Sequence, residues 1–569
     1  MANKRDNACI DEHIDNVSEI SVESEDSIIS EKDAGDSEHS SHSEKYVRNY
    51  RRTLLLFSDS EESNEDMETD WLDFDPPKDN DIFKGSLEPN IFPENIEKIE
   101  DFVGMFIGDD LLEFIVTETN RYYRQHICKY KSCEKTAKWF DVTVPELKQW
   151  FALIILMGLI KKSRINDYWT KNSLIETKIF PKTMARNRFN QILTFLHFSD
   201  DDDIPDNAGQ LFQIQHIINY FSKKFQENFQ PGQNIFIHES IIPWHGKLNF
   251  KIYNPTKVSS CGILIRMLCD SNTGYILNFK LYSGVKKSLN RTILELLSNS
   301  VGKWHHLYLE KFYNSVKLSK ILLKNKIRVC GAIRQNRGLP NSFKNKKLKT
   351  FKTAFKRKGE ILFQMWRSSK NKDIKMISTI HNAEIINTGK KYRKSNDPIQ
   401  KPECIVDYDK HMNRVVRADR YLRFYPIYRK TIKWSKKAVL YLFNCALFNS
   451  FRVYKYKYSN VNSTKTLQFH DFLLKLCEAW IQDNLPKRNK YIPTMSNGLH
   501  QDLIQQLSSH QLKDHQLVLI SETNKRKRRR CRVCYANKLQ KTTNLICKIC
   551  KVPLHLNDCF VLYHLKEKH

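Results

Sequence analysis

The residues best suited to chemistry lie near the C-terminus, where cysteines and histidines recur at short intervals. Residues 531–564, CRVCYANKLQKTTNLICKICKVPLHLNDCFVLYH, contain two Cys-x2-Cys pairs separated by twelve residues, and three further candidate ligands follow. Thiolate and imidazole groups are the ligands that Zn²⁺ prefers in structural sites, and paired cysteines at this spacing are typical of them. The sequence therefore predicts structural Zn²⁺ held by residues from the set Cys531, Cys534, Cys547, Cys550, His555, Cys559 and His564.

The number of these ligands leaves the number of zinc ions open. Seven residues exceed the four that one tetrahedral ion takes and fall one short of two ions. A cross-braced pair of ions would need an eighth ligand, either His569 or a water molecule. A single ion would leave some of the seven in purely structural roles.

A run of basic residues, NKRKRRR at 524–530, stands directly before the first cysteine. Six consecutive cations indicate a nuclear localisation signal, a phosphate contact, or both. The predicted DNA-binding residues are Lys525, Arg526, Lys527, Arg528, Arg529 and Arg530.

A second candidate site lies in IFIHESIIPWHGK, residues 235–247. Apolar residues alternate up to His238, Glu239 follows, and a Pro-Trp turn comes next, which predicts a strand that ends in polar side chains. A strand of this kind usually presents its last residues to a functional site.

The charge distribution indicates the kind of partner. Residues 1–80 contain 23 acidic and 8 basic residues, whereas the rest of the chain contains 41 acidic and 85 basic residues. A body this basic favours a polyanion, in practice double-stranded DNA, although a lysine-rich surface can also serve solubility alone. Four consecutive carboxylates at 200–203 cannot converge on one ion, so we expect a solvated loop there.

Cysteine usage and hydropathy limit the compartment. Five of the 14 cysteines fall between Cys531 and Cys559 and the others show no pairing pattern, which is typical of a reducing compartment with one metal module. The longest apolar run, FALIILMGLI at 151–160, is shorter than the roughly eighteen residues of a membrane span. With no signal peptide visible, we expect a soluble intracellular protein.

Periodicity divides the chain into regions around a mixed α/β core. Helical spacing occurs at 96–125, 144–162, 186–200 and 434–454, and strands are predicted from residue 233 onward with helices at 288–301 and 315–326. The expected organisation is a disordered acidic region at 1–95, helices at 96–230, a sheet core at 231–425 with an insertion at about 340–400, helices at 426–500, a basic linker at 501–530 and a zinc-binding domain at 531–569.

Several motifs in this order resemble the piggyBac transposase family. They include FIGDDLLEFIVTETNRYY at 106–123, KTMARNRFNQILTFLHF at 182–198, CDSNTGYILNFKLYSG at 269–284 and KFYNSVKLSKILLKNKIRVCGAIRQNRGLP at 311–340. DYDKHMNRVVRADRYL at 407–422 and the C-terminal cysteines are similar as well. The resemblance implies an RNase-H-like core with flanking helices for dimerisation and DNA binding, and a C-terminal domain that binds DNA.

The resemblance also implies a catalytic site of three aspartates that hold two Mg²⁺ ions, and here all three positions are changed. The family's aspartates fall on His238, Glu310 and Val416, and only the later aspartate of the third motif is retained, as Asp419. The flanking residues have become Lys311 and Arg414.

These changes predict that the core does not catalyse strand transfer. Val416 has no ligand atom, and a histidine nitrogen at position 238 suits Zn²⁺ better than Mg²⁺. Glu310 is one methylene longer than aspartate, and Glu239 should face away from His238 because neighbouring residues on a strand point to opposite sides. A rival interpretation is that His238, Glu310 and Asp419 rebuild a transition-metal site.

The sequence thus favours a nuclear, homodimeric, transposase-derived DNA-binding protein without transposase activity. One alternative is an active transposase that uses substitute ligands. Another is a protein- or chromatin-recognition module formed by the zinc domain. A decaying genomic copy without a selected role is the last possibility.

Overall fold

The structure is a computed structural model. Over most of the described ranges, helices and strands form where the sequence predicts them. The structure describes residues 71–76, 81–86, 96–130, 139–255, 257, 259–285, 287–368, 372–391, 398–427, 433–459, 466–482, 515–520, 528–536, 539–556, 559–560 and 563–564. Within these, no side chain is described at 127–130, 390–391, 413–419 and 459.

The helices in the described ranges are numbered in chain order. They are α1 (Ile99–Gly104), α2 (Asp109–Tyr130), α3 (Val144–Leu159), α4 (Ile179–Thr183), α5 (Arg186–Phe195), α6 (Gln215–Glu227), α7 (Leu289–Leu296), α8 (Val316–Lys324), α9 (Glu403–Phe424), α10 (Trp434–Ser459), α11 (Phe469–Gln482) and α12 (Arg532–Ala536).

The strands are numbered in the same way. They are β1 (Asn234–Pro243), β2 (Ile252–Tyr253), β3 (Cys261–Asp270), β4 (Ile276–Leu281), β5 (His305–Leu309), β6 (Ile327–Ala332), β7 (Thr353–Lys358), β8 (Ile361–Arg367), β9 (Asp373–Ser378), β10 (Ile385–Lys391), β11 (Pro398–Pro402), β12 (Leu517–Leu519), β13 (Arg529–Arg530), β14 (Thr542–Thr543) and β15 (Leu545–Cys547).

The chain forms two compact units. The first contains residues 1–142, 154–161 and 190–473, and the second contains 143–153, 162–189 and 474–569.

A nine-stranded mixed sheet is the centre of the first unit. Its order is β2-β3-β1-β5-β6-β9-β8-β7, with β4 also paired to β3. Strands β1, β5 and β6 run parallel to one another. On either side of them, β3 is antiparallel to β1 and β9 is antiparallel to β6. Strand β3 is buried along nearly its whole length, as expected for a strand covered on both faces. The predicted mixed sheet flanked by helices is confirmed.

The segment predicted as an insertion continues the sheet instead of forming a separate body. Strand β9 pairs antiparallel with β6, and β8 and β7 follow it in turn. At the junction Gly331 is required, because a Cβ there would lie 2.2 Å from the carbonyl oxygen of Leu309. The insertion and the core therefore share one hydrogen-bonded framework.

Helix α10 is held against this sheet by Asn449, whose side chain bonds the backbone of β4 as a neighbouring strand would. The Asn449 side chain accepts a 2.9 Å hydrogen bond from the Ile276 amide and donates a 2.8 Å bond to the Ile276 carbonyl. Asn449 is fully buried, and satisfying both groups removes the cost of burying an amide. The helical period of 434–454 therefore corresponds to a core helix.

The long helix predicted over 96–125 is divided into α1 and α2. Helix α1 ends at Gly104, and α2 begins at Asp109 with two carboxylates in its first turn. Glycines reduce helix stability, and acidic residues favour a helix N-terminus, so both observations place the break at this point.

Part of the acidic N-terminal region is packed against the sheet. We call residues 71–75 the anchor segment. Leu72 pairs with Arg357 of β7 through two 2.8 Å backbone hydrogen bonds, and Trp71 is 6% exposed within a cluster that includes Phe363. Asp75 forms an ion pair with Arg357 at 2.6 Å and accepts a hydrogen bond from the Ala383 amide at 2.6 Å. The stretch predicted to be disordered therefore includes a docked segment.

A second described stretch of the N-terminal region contacts the same unit. Asp81 pairs with Arg328, and Phe83 packs edge-on against His305 with ring centroids 4.9 Å apart. The Lys84 amide donates to the Lys303 carbonyl at 3.0 Å.

The helical part of the second unit is held by buried polar contacts. Arg188 makes a bidentate pair with Glu146 at 2.7 and 2.6 Å, and the Trp150 indole donates to the Phe189 carbonyl at 3.3 Å. These contacts join α3 to the beginning of α5.

Candidate functional site

The parallel pairing of β1 and β5 brings two of the three predicted catalytic positions together. Ile237 is in register with Leu309, so His238 and Glu310 follow at the same end of adjacent strands. The His238 Nδ1 atom lies 3.6 Å from Glu310 Oε1. Their side chains are 13% and 30% exposed, so the pair occupies a shallow, partly buried position.

A lysine from the loop between β2 and β3 also contacts Glu310. Lys257 Nζ lies 3.3 and 3.4 Å from the two carboxylate oxygens of Glu310. Burial raises the pKa of Glu310, but the hydrogen bond from His238 and the charge of Lys257 outweigh it, so the pKa lies below its usual value. Glu310 is therefore an ionised carboxylate whose oxygens are already engaged by cationic or polar groups of the chain.

Glu239 belongs to a different set of contacts. It accepts a 3.0 Å hydrogen bond from Arg266, its register partner on β3, and another from the Tyr313 hydroxyl. Arg266 also donates to Tyr313 at 3.1 Å. Burial lowers the pKa of Arg266, but Tyr313 and Glu239 raise it more. Glu239 is thus the acceptor of a buried polar cluster.

The third predicted position lies on helix α9. The backbone of Val416 and Asp419 is helical, but their side chains and that of Arg414 lie outside the described residues. Lys311, next to Glu310, is exposed. In the described part of the chain, the structure therefore brings together His238 and Glu310 and adds Lys257.

Sequence reasoning missed a buried network on the same face of β5. Asp407 of α9 accepts from the Tyr308 hydroxyl and lies 3.1 Å from His381 and 3.3 Å from His411. Burial raises the pKa of Asp407, but hydrogen bonds from His381, His411 and Tyr308 lower it far more. We call these four residues the Asp407 network. The spacing of Asp407 and His411, four residues apart on one helix, was the available signal.

The C-terminal module contains two groups of potential metal ligands. One consists of Cys531, Cys534, His555 and Cys559, and the other of His515, Cys547, Cys550 and His564. Within each group the ligand atoms all lie within 4.8 Å of one another. In the described part of the chain, only these two groups bring potential metal ligands close enough to share an ion. The carboxylates at 200–203 do not form such a group.

The ligands of the two groups alternate along the chain, which is the cross-braced arrangement. Four residues of one group lie between His515 and His564 of the other. The eighth candidate ligand among the described residues is therefore His515, sixteen residues before Cys531, and His569 lies outside the described residues. The metal-binding module accordingly begins before the predicted boundary at 531.

The geometry of both groups fits Zn²⁺. Sulfur-to-nitrogen distances run from 3.3 Å (Cys550 to His515) to 3.6 Å (Cys559 to His555). Cys534 and Cys559 sulfurs are 3.7 Å apart. Zinc bonds of about 2.3 Å to sulfur and about 2.0 Å to nitrogen predict edges of about 3.6 Å in a tetrahedron.

The outer nitrogens of two of the three histidines lie beside backbone carbonyls. His555 Nε2 lies 3.2 Å from the Thr542 carbonyl, and His564 Nδ1 lies 2.7 Å from the Phe560 carbonyl. Such carbonyl partners fix the ring orientation and the tautomer of zinc-ligating histidines. The residues present therefore fit structural Zn²⁺.

The basic run is described in part. Arg528, Arg529 and Arg530 are exposed, and the last two form strand β13. Lys525, Arg526 and Lys527 lie outside the described residues. None of the helices in the described ranges combines the length and the hydrophobicity of a membrane-spanning helix.

Comparisons with known proteins agree with this architecture. Residues 101–451 match the family described as Transposase IS4, and residues 510–565 match the family described as DDE_Tnp_1-like zinc finger. The second match includes all eight ligands of the two groups.

Two human proteins illustrate the relatives. PiggyBac transposable element-derived protein 2 is 22% identical over 372 residues, which are 62% of this chain and 60% of that protein. PiggyBac transposable element-derived protein 3 is 22% identical over 508 residues, or 84% of this chain and 78% of that protein. The chain thus spans less than two thirds of the first relative.

A solved structure shares the fold. The piggyBac transposase synaptic complex with hairpin DNA, determined by cryo-EM, has a TM-score of 0.64 and 21% identity, covering 82% of this chain and 97% of that chain. Because the Transposase IS4 match covers more than half of the sequence, the chain belongs to the piggyBac/IS4 transposase family and carries a DDE_Tnp_1-like zinc finger.

Proposed function

We propose that this transposase-derived protein binds double-stranded DNA and does not catalyse strand transfer. The observation that carries the second part is the contact of Glu310 with both His238 and Lys257 at the ends of β1 and β5. A pair of Mg²⁺ ions needs several oxygen ligands in near-octahedral geometry. Among the described side chains, this position offers one carboxylate, one imidazole and one ammonium group.

The charge balance argues in the same direction. The Lys257 ammonium lies 3.3 Å from Glu310, so a divalent cation at this carboxylate would have to displace it or lie beside it. Like charges at such distances repel, and a protein cation already neutralises the carboxylate. The hydrocarbon side chain of Val416 adds no ligand. We therefore propose that Mg²⁺ is not bound here.

DNA binding is supported by charge and by the zinc module. The chain after residue 80 has 85 basic and 41 acidic residues, and exposed arginines directly precede Cys531. The solved relative of similar fold is a complex with hairpin DNA. The role proposed for Zn²⁺, one ion in each of the two groups, is to hold the module in its DNA-binding form.

The test of DNA binding uses the full chain and fluorescently labelled duplexes at several salt concentrations. Changing Arg528, Arg529 and Arg530 to Gln should weaken binding and make the salt dependence shallower by about three phosphate contacts. The matched control changes three exposed lysines of the insertion, Lys344, Lys347 and Lys349, to Gln. Absence of binding to any duplex would contradict the proposal.

The test of catalysis is excision of matching terminal repeats with Mg²⁺ or Mn²⁺. We expect no excision by the natural sequence. Excision that disappears in Glu310→Ala would contradict the proposal and establish the alternative, an active transposase with substitute ligands. Excision recovered by His238→Asp, Glu310→Asp and Val416→Asp together would show that these three positions account for the loss.

Location and assembly follow from the same proposal. We infer that the basic run Lys525–Arg530 directs the chain to the nucleus, which imaging of a tagged chain with and without that run would test. We also infer a homodimer, because palindromic or paired DNA ends are usually held by symmetric proteins. Sedimentation of the full chain would measure it.

A second candidate function is recognition of chromatin proteins by the zinc module. Exposed apolar side chains favour it, with Tyr535 at 58% and Leu556 at 65% exposure. Affinity capture that depends on Leu556 but not on Arg528–Arg530 would support protein recognition in place of DNA binding.

A further inference from the structure

The last two residues of the basic run are part of a defined ribbon. Arg529 pairs with Thr543 and Arg530 pairs with Thr542, so that β13 and β14 form an antiparallel pair. Both arginines are exposed. Successive strand residues point to opposite sides, so the two guanidinium groups leave the ribbon in different directions. The strand pairing thus orients two side chains of a basic run that the sequence predicts only as a cluster of charge.

The ribbon is joined to one zinc-ligand group at the end of its first strand, β13. Cys531, the first ligand of that group, directly follows Arg530, and its amide donates to the Lys541 carbonyl at 3.0 Å. The hydrogen-bonding pattern of β13 and β14 therefore runs without interruption into the ligand.

The opposite side of the ribbon is joined to the same group through His555. The Thr543 hydroxyl donates to the Leu554 carbonyl at 3.1 Å, and His555 Nε2 lies 3.2 Å from the Thr542 carbonyl. His555 Nδ1 faces the sulfurs of Cys534 and Cys559 at 3.4 and 3.6 Å. When Nδ1 ligates, the proton must be on Nε2, so that Nε2 donates to Thr542.

These contacts matter because the ribbon is too short to hold itself. Each of its strands has two residues, whereas isolated hairpins much longer than this are only marginally stable in water. Its geometry must come from the groups on either side, and both of those groups are ligands of one metal cluster.

We propose that His555 is a positioning residue for nucleic-acid binding, because it connects its zinc-ligand group to strand β14 and thereby fixes Arg529 and Arg530 for contact with backbone phosphates of duplex DNA. Arginines on a fixed ribbon lose less conformational entropy on binding than arginines on a free chain. This inference rests on the proposed DNA-binding function.

The test uses the full chain carrying His555→Cys. A cysteine keeps a sulfur ligand for zinc but has no second nitrogen to hold Thr542. His470→Cys, at a half-exposed position in the other unit, controls for the introduction of a thiol. Thr543→Val, which removes the hydroxyl bond to Leu554 without touching a ligand, is the second variant.

Three readouts are measured on each variant: zinc per chain, the rate of trypsin cleavage after Arg528, Arg529 and Arg530, and duplex affinity as a function of salt. We expect His555→Cys to keep its zinc, to be cleaved at least about tenfold faster at these bonds, and to bind duplex about three- to tenfold more weakly with a shallower salt dependence. Thr543→Val should change in the same direction, and His470→Cys should match the natural sequence.

Unchanged cleavage and affinity in a zinc-loaded His555→Cys chain would overturn the inference. If that variant loses zinc, Thr543→Val decides, and natural behaviour of Thr543→Val overturns it. A natural sequence that binds no duplex refutes the proposed function instead, and the cleavage rates then still decide whether His555 orders the ribbon.

Discussion

Replacing Trp71 by alanine should release the anchor segment from strand β7. Trp71 is 6% exposed and packs in the cluster that contains Phe363 and Ile377. A buried tryptophan removes about 150–250 Å² from water, worth roughly 4–6 kcal/mol at about 25 cal/mol per Å². Alanine retains its Cβ and the segment can relax, so we expect a loss of about 3 kcal/mol in the free energy of opening.

The Arg357 amide gives a direct assay, because it donates to the Leu72 carbonyl at 2.8 Å. A loss of about 3 kcal/mol should accelerate its hydrogen exchange roughly a hundredfold, since about 1.4 kcal/mol corresponds to a factor of ten. Amides of β1 and β5, in the centre of the sheet, should keep their natural rates.

The matched control is Phe74→Ala in the same segment. Phe74 is 65% exposed, so its loss should change the opening free energy by less than about 0.5 kcal/mol. If the Arg357 amide of Trp71→Ala exchanges within threefold of the natural rate, then Trp71 does not hold the segment and the reasoning fails.

Three further predictions concern the sites. Glu310→Gln should remove about 1 kcal/mol of stability at neutral pH. Because the pKa of Glu310 is lowered in the folded state, the extra stability of the natural protein over this variant is present above pH ~4.3. It disappears as the pH falls through the pKa of the folded state. Coincident denaturation curves of the two proteins at neutral pH would contradict this. Tyr308→Phe should cost about 1–3 kcal/mol, measured by urea unfolding, because the partly buried Asp407 loses a donor. Tyr535→Phe, at an exposed tyrosine, is its control. His515→Ala should lower bound zinc from two ions to one per chain in a chromogenic assay, whereas retention of both would exclude His515 as a ligand.

Much of the core follows from hydrophobic periodicity. The predicted strand at 261–270 coincides with β3, and the helix predicted from Trp434 begins there as α10. Both segments are buried almost throughout, so the pattern of apolar residues and the burial agree. The predicted helix at 96–125 fails at Gly104 to Gly108 because apolar spacing continues through the break and hides it.

Contacts between distant parts of the chain could not be predicted in this way. Tyr308, His381 and Asp407 come from a strand, a turn and a helix, and no spacing rule links them. His515 was missed because a lone histidine sixteen residues before the first cysteine carries no local signal. The pairing of His238 with Glu310 was accessible only through the family resemblance, whereas Lys257 required the structure.

The way the insertion joins the sheet has a consequence for aggregation. Without β7, β8 and β9, strand β6 would end the sheet and leave unpaired backbone groups exposed to other chains. The added strands move that hazard outward to β7, where Leu72 occupies part of the free backbone and charged side chains flank it. A fragment of this protein that starts at residue 96 would lack Leu72 and expose unpaired backbone groups along β7. Self-association of such a fragment during purification would therefore result from the truncation.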